Sequence, residues 1–69
     1  MVTELLVIKY NDSYIRVKDG EYTICGLDKA SVFPMEKMEE VKEHIKKIKE
    51  KQNCSPSIFK LILREELIV

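Results

Sequence analysis

The stretch from Pro34 to Lys51, PMEKMEEVKEHIKKIKEK, decides the fold, because its apolar residues recur at the helical period of about 3.6 residues. The stripe consists of Pro34, Met38, Val41, Ile45, Ile48 and Gln52. Glutamates dominate the first half of the stretch and lysines the second, an order that complements the helix dipole. The pattern predicts one amphipathic helix that covers a single surface and ends near Asn53 and Pro56.

Three strands are predicted before the helix, at residues 5–10, 14–18 and 21–25. The first is apolar on both faces, which is typical of the middle of a sheet. The second alternates and is expected to be half-buried. Two turn signals, Asn11–Ser13 and Asp19-Gly20, join the strands, and Asp19-Gly20 predicts a two-residue hairpin with positive φ at both positions. The three strands should form an antiparallel meander.

A last strand is predicted after the helix, at residues 58–64. Glu65-Glu66 interrupts the apolar run before Leu67–Val69 resumes it. A β-bulge at the two glutamates would keep the strand continuous, and a frayed end is the alternative.

These elements predict an α+β fold of the order β-β-β-α-β, with residues 1–69 forming one small domain. A right-handed crossover through the helix would set the last strand parallel to the first. The expected architecture is therefore a four-stranded mixed sheet of order 3-2-1-4, with the helix packed on one face.

A single helix leaves the second face of such a sheet exposed. That face would carry either Leu5 and Val7 or Leu6 and Ile8 from the first strand. From the last strand it would carry either Ile58 and Ile62 or Leu61 and Leu63. An exposed apolar area of this kind is usually an interface. We expect a homodimer, with burial by the C-terminal tail or by an unidentified protein as alternatives, and the residues assigned to the interface are Leu6, Ile8, Ile58 and Ile62.

Composition limits the other functions. The chain is 45% hydrophobic and 35% charged with a net charge of zero, which argues against disorder and against dominant nonspecific binding to nucleic acid. Nucleic-acid binding remains the alternative function, because the outer face of the hairpin offers cations beside aromatic rings that could stack on bases. The residues assigned to that face are Tyr14, Arg16, Lys18 and Tyr22.

The sequence contains no arrangement that indicates an enzyme, a metal or a cofactor. His44 is the one histidine and lies at the edge of the apolar stripe, where a boundary position is expected. Cys25 and Cys54 have neither metal nor redox spacing, so free thiols in a reducing cytoplasm are predicted. The N-terminus has no signal-peptide pattern, and the longest apolar run, Leu5 to Ile8, is too short to span a membrane.

Residues Tyr14 to Ile48 resemble short hypothetical proteins of phages and prophages. Those proteins have a hairpin with aromatic residues, a D-x-A-x-x-F segment, a charged helix and a final strand. The matching residues here are Asp28, Ala30 and Phe33, whereas the tryptophan usual at the strand end is missing. The resemblance implies a mobile-element origin and an interaction role, with inhibition of a host enzyme as a further function. It carries over no catalytic or binding residues.

Overall fold

Five β-strands and one α-helix make up residues 2–69, the part of the chain that the computed structural model describes. The strands are β1 (Val2–Tyr10), β2 (Ser13–Lys18), β3 (Glu21–Cys25), β4 (Val32–Pro34) and β5 (Ser57–Arg64). The helix α1 spans Met38–Gln52, and 3₁₀ turns occupy Leu27–Lys29 and Met35–Lys37. The α+β class with one helix on a sheet is confirmed.

β1 is the central strand, as its two-faced apolar sequence predicts. One edge of β1 pairs with β5 from Val2 to Lys9. The other edge pairs with β2 at Lys9 and Tyr10 and with β4 at residues 5–7. β3 extends the sheet by pairing with β2. The predicted order 3-2-1-4 is confirmed for the four predicted strands, the last of which is β5.

The expected parallel pairing of the first and last strands is wrong, because β1 and β5 are antiparallel and every pairing in the sheet is antiparallel. The cause is β4, a three-residue strand that the sequence did not reveal. β4 reverses the chain once more before the helix, so the crossover starts from a strand that is antiparallel to β1. The helix then returns β5 in the direction of β4, on the opposite edge of β1.

Ser31 explains why β4 forms. The Ser31 amide donates to the Ile15 carbonyl at 3.3 Å, and the Ser31 hydroxyl accepts from the Val17 amide at 2.7 Å. This segment therefore fills the space where β2 diverges from β1. Pro34 favours an extended backbone at the residue before it, Phe33, and this suits the strand conformation of β4. Pro34 pairs with Leu5 and is not the first helical residue, so the α-helix begins four residues later than predicted, at Met38.

The helix stripe packs on one face of the sheet, the helix-side face. Val41 and Ile48 are fully buried and meet Leu6, Ile8 and Ile15 in the core. Met38 and Ile45 lie half-buried around them, so the four central positions of the predicted stripe are confirmed. Its two ends are not, since Pro34 lies in β4 and Gln52 is exposed. Asn53 ends the helix in the left-handed conformation, with φ 51° and ψ 41°.

Only six hydrophobic side chains are buried in residues 2–69, a small core even for a chain of this length.

The β2–β3 turn has the predicted geometry, with φ 50° at Asp19 and 78° at Gly20. Gly20→Ala should destabilise the fold by about 1 kcal/mol, because a side chain disfavours positive φ. A Cβ at Gly20 would meet nothing within 4 Å, so the loss comes from the backbone alone. Urea unfolding measures it, with Asp19→Asn as a control that the same turn tolerates. An unchanged midpoint for the alanine variant would contradict this account of the turn.

The molecule is elongated, at 46 × 23 × 21 Å, with a radius of gyration of 13.0 Å. A compact domain of this length would have a radius of gyration of about 11 Å. Part of the extra length is an arm in which Val2–Glu4 pair only with residues 62–64 of β5. The strand ends at Arg64 without a bulge, as in the frayed-end alternative, and Leu67, Ile68 and Val69 are each more than 90% exposed.

Candidate interaction surface

The sheet face opposite α1, the open face, carries a continuous row of apolar side chains. Directly opposed residues of antiparallel strands point to the same face, so Val7 shares its face with Val32 on one side and Phe59 on the other. This apolar strip consists of Leu5, Val7, Val32, Phe59, Leu61 and Leu63. Val32, Phe59 and Leu63 are 47%, 49% and 46% exposed, whereas Val7 between its neighbours is 2% exposed. The open face therefore presents large apolar side chains to solvent.

The structure corrects the residues expected at the interface. Leu6 and Ile8 are 1% and 0% exposed because they lie beneath the helix, and Ile58 packs against the same core. Ile62 is 57% exposed but points to the helix-side face, in the arm. The open face carries the other set that the sequence allowed, with Leu5 and Val7 from β1 and Leu61 and Leu63 from β5.

Cations occupy the hairpin end of the open face. Tyr14 is opposed to Lys9, so it shares that face, as do Arg16 and Lys18 further along β2. The Lys9 ammonium lies 5.5 Å from the centre of the Tyr14 ring and 5.2 Å from that of Phe59. This basic end, defined by Lys9, Tyr14, Arg16 and Lys18, therefore borders the apolar strip directly.

Tyr22 does not belong to the basic end, which corrects its place in the predicted nucleic-acid face. The two-residue turn opposes Tyr22 to Val17, whose side chain packs in the core, so Tyr22 points to the helix side. Its hydroxyl lies 3.0 Å from His44 Nδ1, within hydrogen-bonding distance. The His44 ring also lies 5.7 Å from the ring of Phe33. This half-buried cluster attaches the helix to β3 and β4.

Removing the Tyr22 hydroxyl should destabilise the fold. Tyr22→Phe loses the hydrogen bond to His44, and we expect a loss of about 1 kcal/mol in the free energy of unfolding. Urea unfolding at fixed protein concentration measures the effect. Tyr14→Phe, an equal change on the open face, is the control and should shift the midpoint less. Equal shifts for both variants would contradict a specific role for the Tyr22–His44 contact.

The same variant should change the pH dependence of stability in alkali. Burial raises the pKa of Tyr22 above its ordinary value of 10.0, because the charged phenolate loses solvation in the folded state. The unfolded chain therefore releases this proton first, and stability is lost as the pH rises from 10.0 through the folded pKa. Tyr22→Phe removes this contribution, so stability should fall less steeply there than in the unmodified chain.

The side chains that commonly bind metal ions are dispersed over residues 2–69. No cluster of three or more His, Cys, Asp or Glu suited to a metal ion occurs there. Cys25 and Cys54 are free thiols, as the sequence predicts; Cys25 is opposed to Tyr14 on the open face, and Cys54 packs against the core. The helix within this range is neither long nor apolar enough to cross a membrane.

The fold and surface define a class: an α+β protein whose antiparallel sheet has one face under a helix and the other exposed. Comparison with known proteins adds no relative, since no family model, curated protein or solved structure matches the chain.

Proposed function

We propose that the chain is a small non-enzymatic protein-interaction module that forms a homodimer through the open face of its sheet. The observation that supports the proposal is the apolar strip, in which Val32, Phe59 and Leu63 are each about half exposed. Removing apolar surface from water contributes about 25 cal/mol per Å². The strip is contiguous, and contiguous apolar patches are characteristic of interaction sites.

The dimensions of the open face suit a stable dimer. A typical stable interface buries about 800 Å² on each partner. The sheet lies in a body of 46 × 23 Å, so one of its faces offers an area of that order. The small core gives a second reason, because domains of this size commonly gain stability by association.

Charge predicts the relative orientation of the two copies. Lys9, Arg16 and Lys18 lie toward one end of the open face. A two-fold axis that stacks one apolar strip on the other can place the basic ends at opposite ends of the dimer, where their repulsion is smallest. The cations then border the dry contact and stay hydrated, as charged residues at the rim of an interface do.

Sedimentation equilibrium tests the proposal. The expected result is a mass that rises from 8.1 kDa toward twice that value with concentration. We expect the dimer to predominate by ~100 µM, a concentration suited to micromolar affinity. A mass of 8.1 kDa at every concentration would overturn the homodimer.

The basic end supports a second candidate function, single-stranded nucleic-acid binding through Lys9, Tyr14, Arg16 and Lys18. Acidic side chains beside it weaken this candidate, since Glu21 is opposed to Lys18 and Asp19 lines the same hollow as Arg16. Titration of a labelled oligonucleotide at several salt concentrations tests it. Affinity that falls with salt and is reduced in Arg16→Ala supports this function, and no binding at low salt removes it.

A further inference from the structure

β5 is an eight-residue edge strand whose outer edge is unprotected. In residues 2–69 its only strand partner is β1, so one row of its backbone N–H and C=O groups has no partner strand. Five of its residues are large and apolar, and proteins rarely leave such an edge free because it pairs readily with another strand. The arm adds to the argument, since its residues 62–64 belong to a two-stranded ribbon, and such ribbons are marginally stable alone.

We propose that the outer edge of β5 pairs antiparallel with β5 of a second copy, and that residues 65–69 extend the strand in this pairing. A two-fold axis perpendicular to the sheet passes beside Leu63, which faces the partner's Leu63. The two sheets become one ten-stranded sheet with both helices on the same side. Residues 62–64 of β5 then lie inside a four-stranded region, with β1 on one edge and the partner strand on the other.

The side chains of residues 57–69 select this register. A perpendicular two-fold axis keeps each face of the sheet on its own side, so opposed residues must both be odd-numbered or both even-numbered. With Leu63 at the axis, Lys60 faces the partner's Glu66, an opposite-charge pair that stabilises antiparallel strands. Phe59 faces the partner's Leu67, and Ile58 faces the partner's Ile68. The exposed tail thereby places apolar side chains beside those of β5 within the sheet.

The neighbouring registers are poorer. Placing Ile62 at the axis sets Lys60 opposite the partner's Arg64, and like charges in this position are destabilising. Placing Leu61 at the axis leaves residues 66–69 without a partner strand and Leu67, Ile68 and Val69 exposed. Of these three registers, only the one with Leu63 at the axis both gives the tail a partner strand and sets unlike charges opposite each other.

This contact is separate from the proposed dimer through the open face. It uses backbone groups at the edge of the sheet, and it leaves the apolar strip uncovered. The two contacts can coexist in a larger assembly, so the experiment must distinguish the β5 edge contact from the open-face contact.

Cysteine cross-linking tests the edge contact in the full chain with Cys25→Ser and Cys54→Ala. Opposed residues of antiparallel strands have Cα atoms about 4.5–5.5 Å apart, within the range of a disulfide. Mild oxidation should cross-link Leu63→Cys into dimers, whereas Leu61→Cys should stay uncross-linked because it faces the partner's Glu65. The double variant Lys60→Cys with Glu66→Cys should also cross-link, and each of its single variants should not.

Residues 60 and 66 decide whether the contact is at the edge, because in an extended strand both point to the helix-side face, which an open-face dimer cannot bring together. Cross-linking of the Leu63→Cys variant and of the double variant supports the proposal. Cross-linking of Leu61→Cys alone overturns the register. If the double variant does not cross-link, the edge contact is overturned. In that case a dimeric mass before oxidation still supports the open-face dimer. A monomeric mass contradicts both the edge contact and the open-face dimer.

Discussion

Ile8→Ala is expected to bring the protein much closer to unfolding at room temperature. Ile8 is 0% exposed and lies in the core with Val41 and Ile48. Truncating a buried isoleucine to alanine costs about 2–5 kcal/mol. A chain of this length has about 3–10 kcal/mol of stability in total. The substitution should therefore remove a large share of that stability and lower the midpoint of thermal unfolding by more than about 10 °C.

The matched control is Ile24→Ala, the same chemical change on β3 at a side chain that is 55% exposed. Its midpoint should move by only a few degrees. Both variants are compared at one protein concentration, because association couples stability to concentration. Equal losses for the two variants would show that the helix-covered core does not hold the fold together as described.

Phe59→Lys should weaken self-association by about 30-fold or more, because it places a charge in the centre of the apolar strip. Phe59 is 49% exposed and opposed to Val7 on the open face, beside the Lys9 ammonium. Desolvating a lysine in a dry interface is costly, and removing a central aromatic residue commonly costs 2 kcal/mol or more. In a two-fold dimer the change occurs twice. Sedimentation at several concentrations gives the dissociation constants.

Ile24→Lys is the control for this prediction, since Ile24 is also a strand residue and is 55% exposed, but it lies on the helix-side face. It should leave the dissociation constant within about threefold of the unmodified value, as expected of a change outside an interface. Circular dichroism of both variants shows whether the fold is intact. Equal weakening by the two lysines would point to a general effect of charge and against the open face.

The sequence predicted the helix well because its apolar period is regular and long. β4 could not be predicted in the same way, since Val32–Pro34 is too short for a strand pattern and depends on bonds from Ser31 to β2. The error in the predicted direction of β5 followed from the absence of β4 in the prediction. The crossover through the helix starts from β4, which is antiparallel to β1, so a three-residue strand is enough to reverse the expected direction of β5.

The lengths of the two turns predict which face of the sheet the helix covers, because they set the register between neighbouring strands. β1 is apolar on both faces, so its periodicity cannot decide which side the helix covers. The observed register opposes Tyr10 to Ser13, and continuing it aligns Ile8 with Ile15, the apolar side of β2. A two-residue turn assigned to Asn11-Asp12 would therefore have placed Ile8 under the helix. The same reasoning from Asp19-Gly20 opposes Tyr22 to Val17, away from Tyr14.

The contact between open faces can be observed directly by isotope-filtered NMR on a mixture of labelled and unlabelled chains at ~100 µM or above, where a micromolar dimer is populated. The open-face homodimer predicts intermolecular cross-peaks from the Val32 methyl groups of one copy to side chains of the apolar strip of the other. Ile24, on the helix-side face of β3, should give none. Intermolecular cross-peaks confined to residues outside the open face, or none in a sample of monomeric mass, would contradict the proposed function.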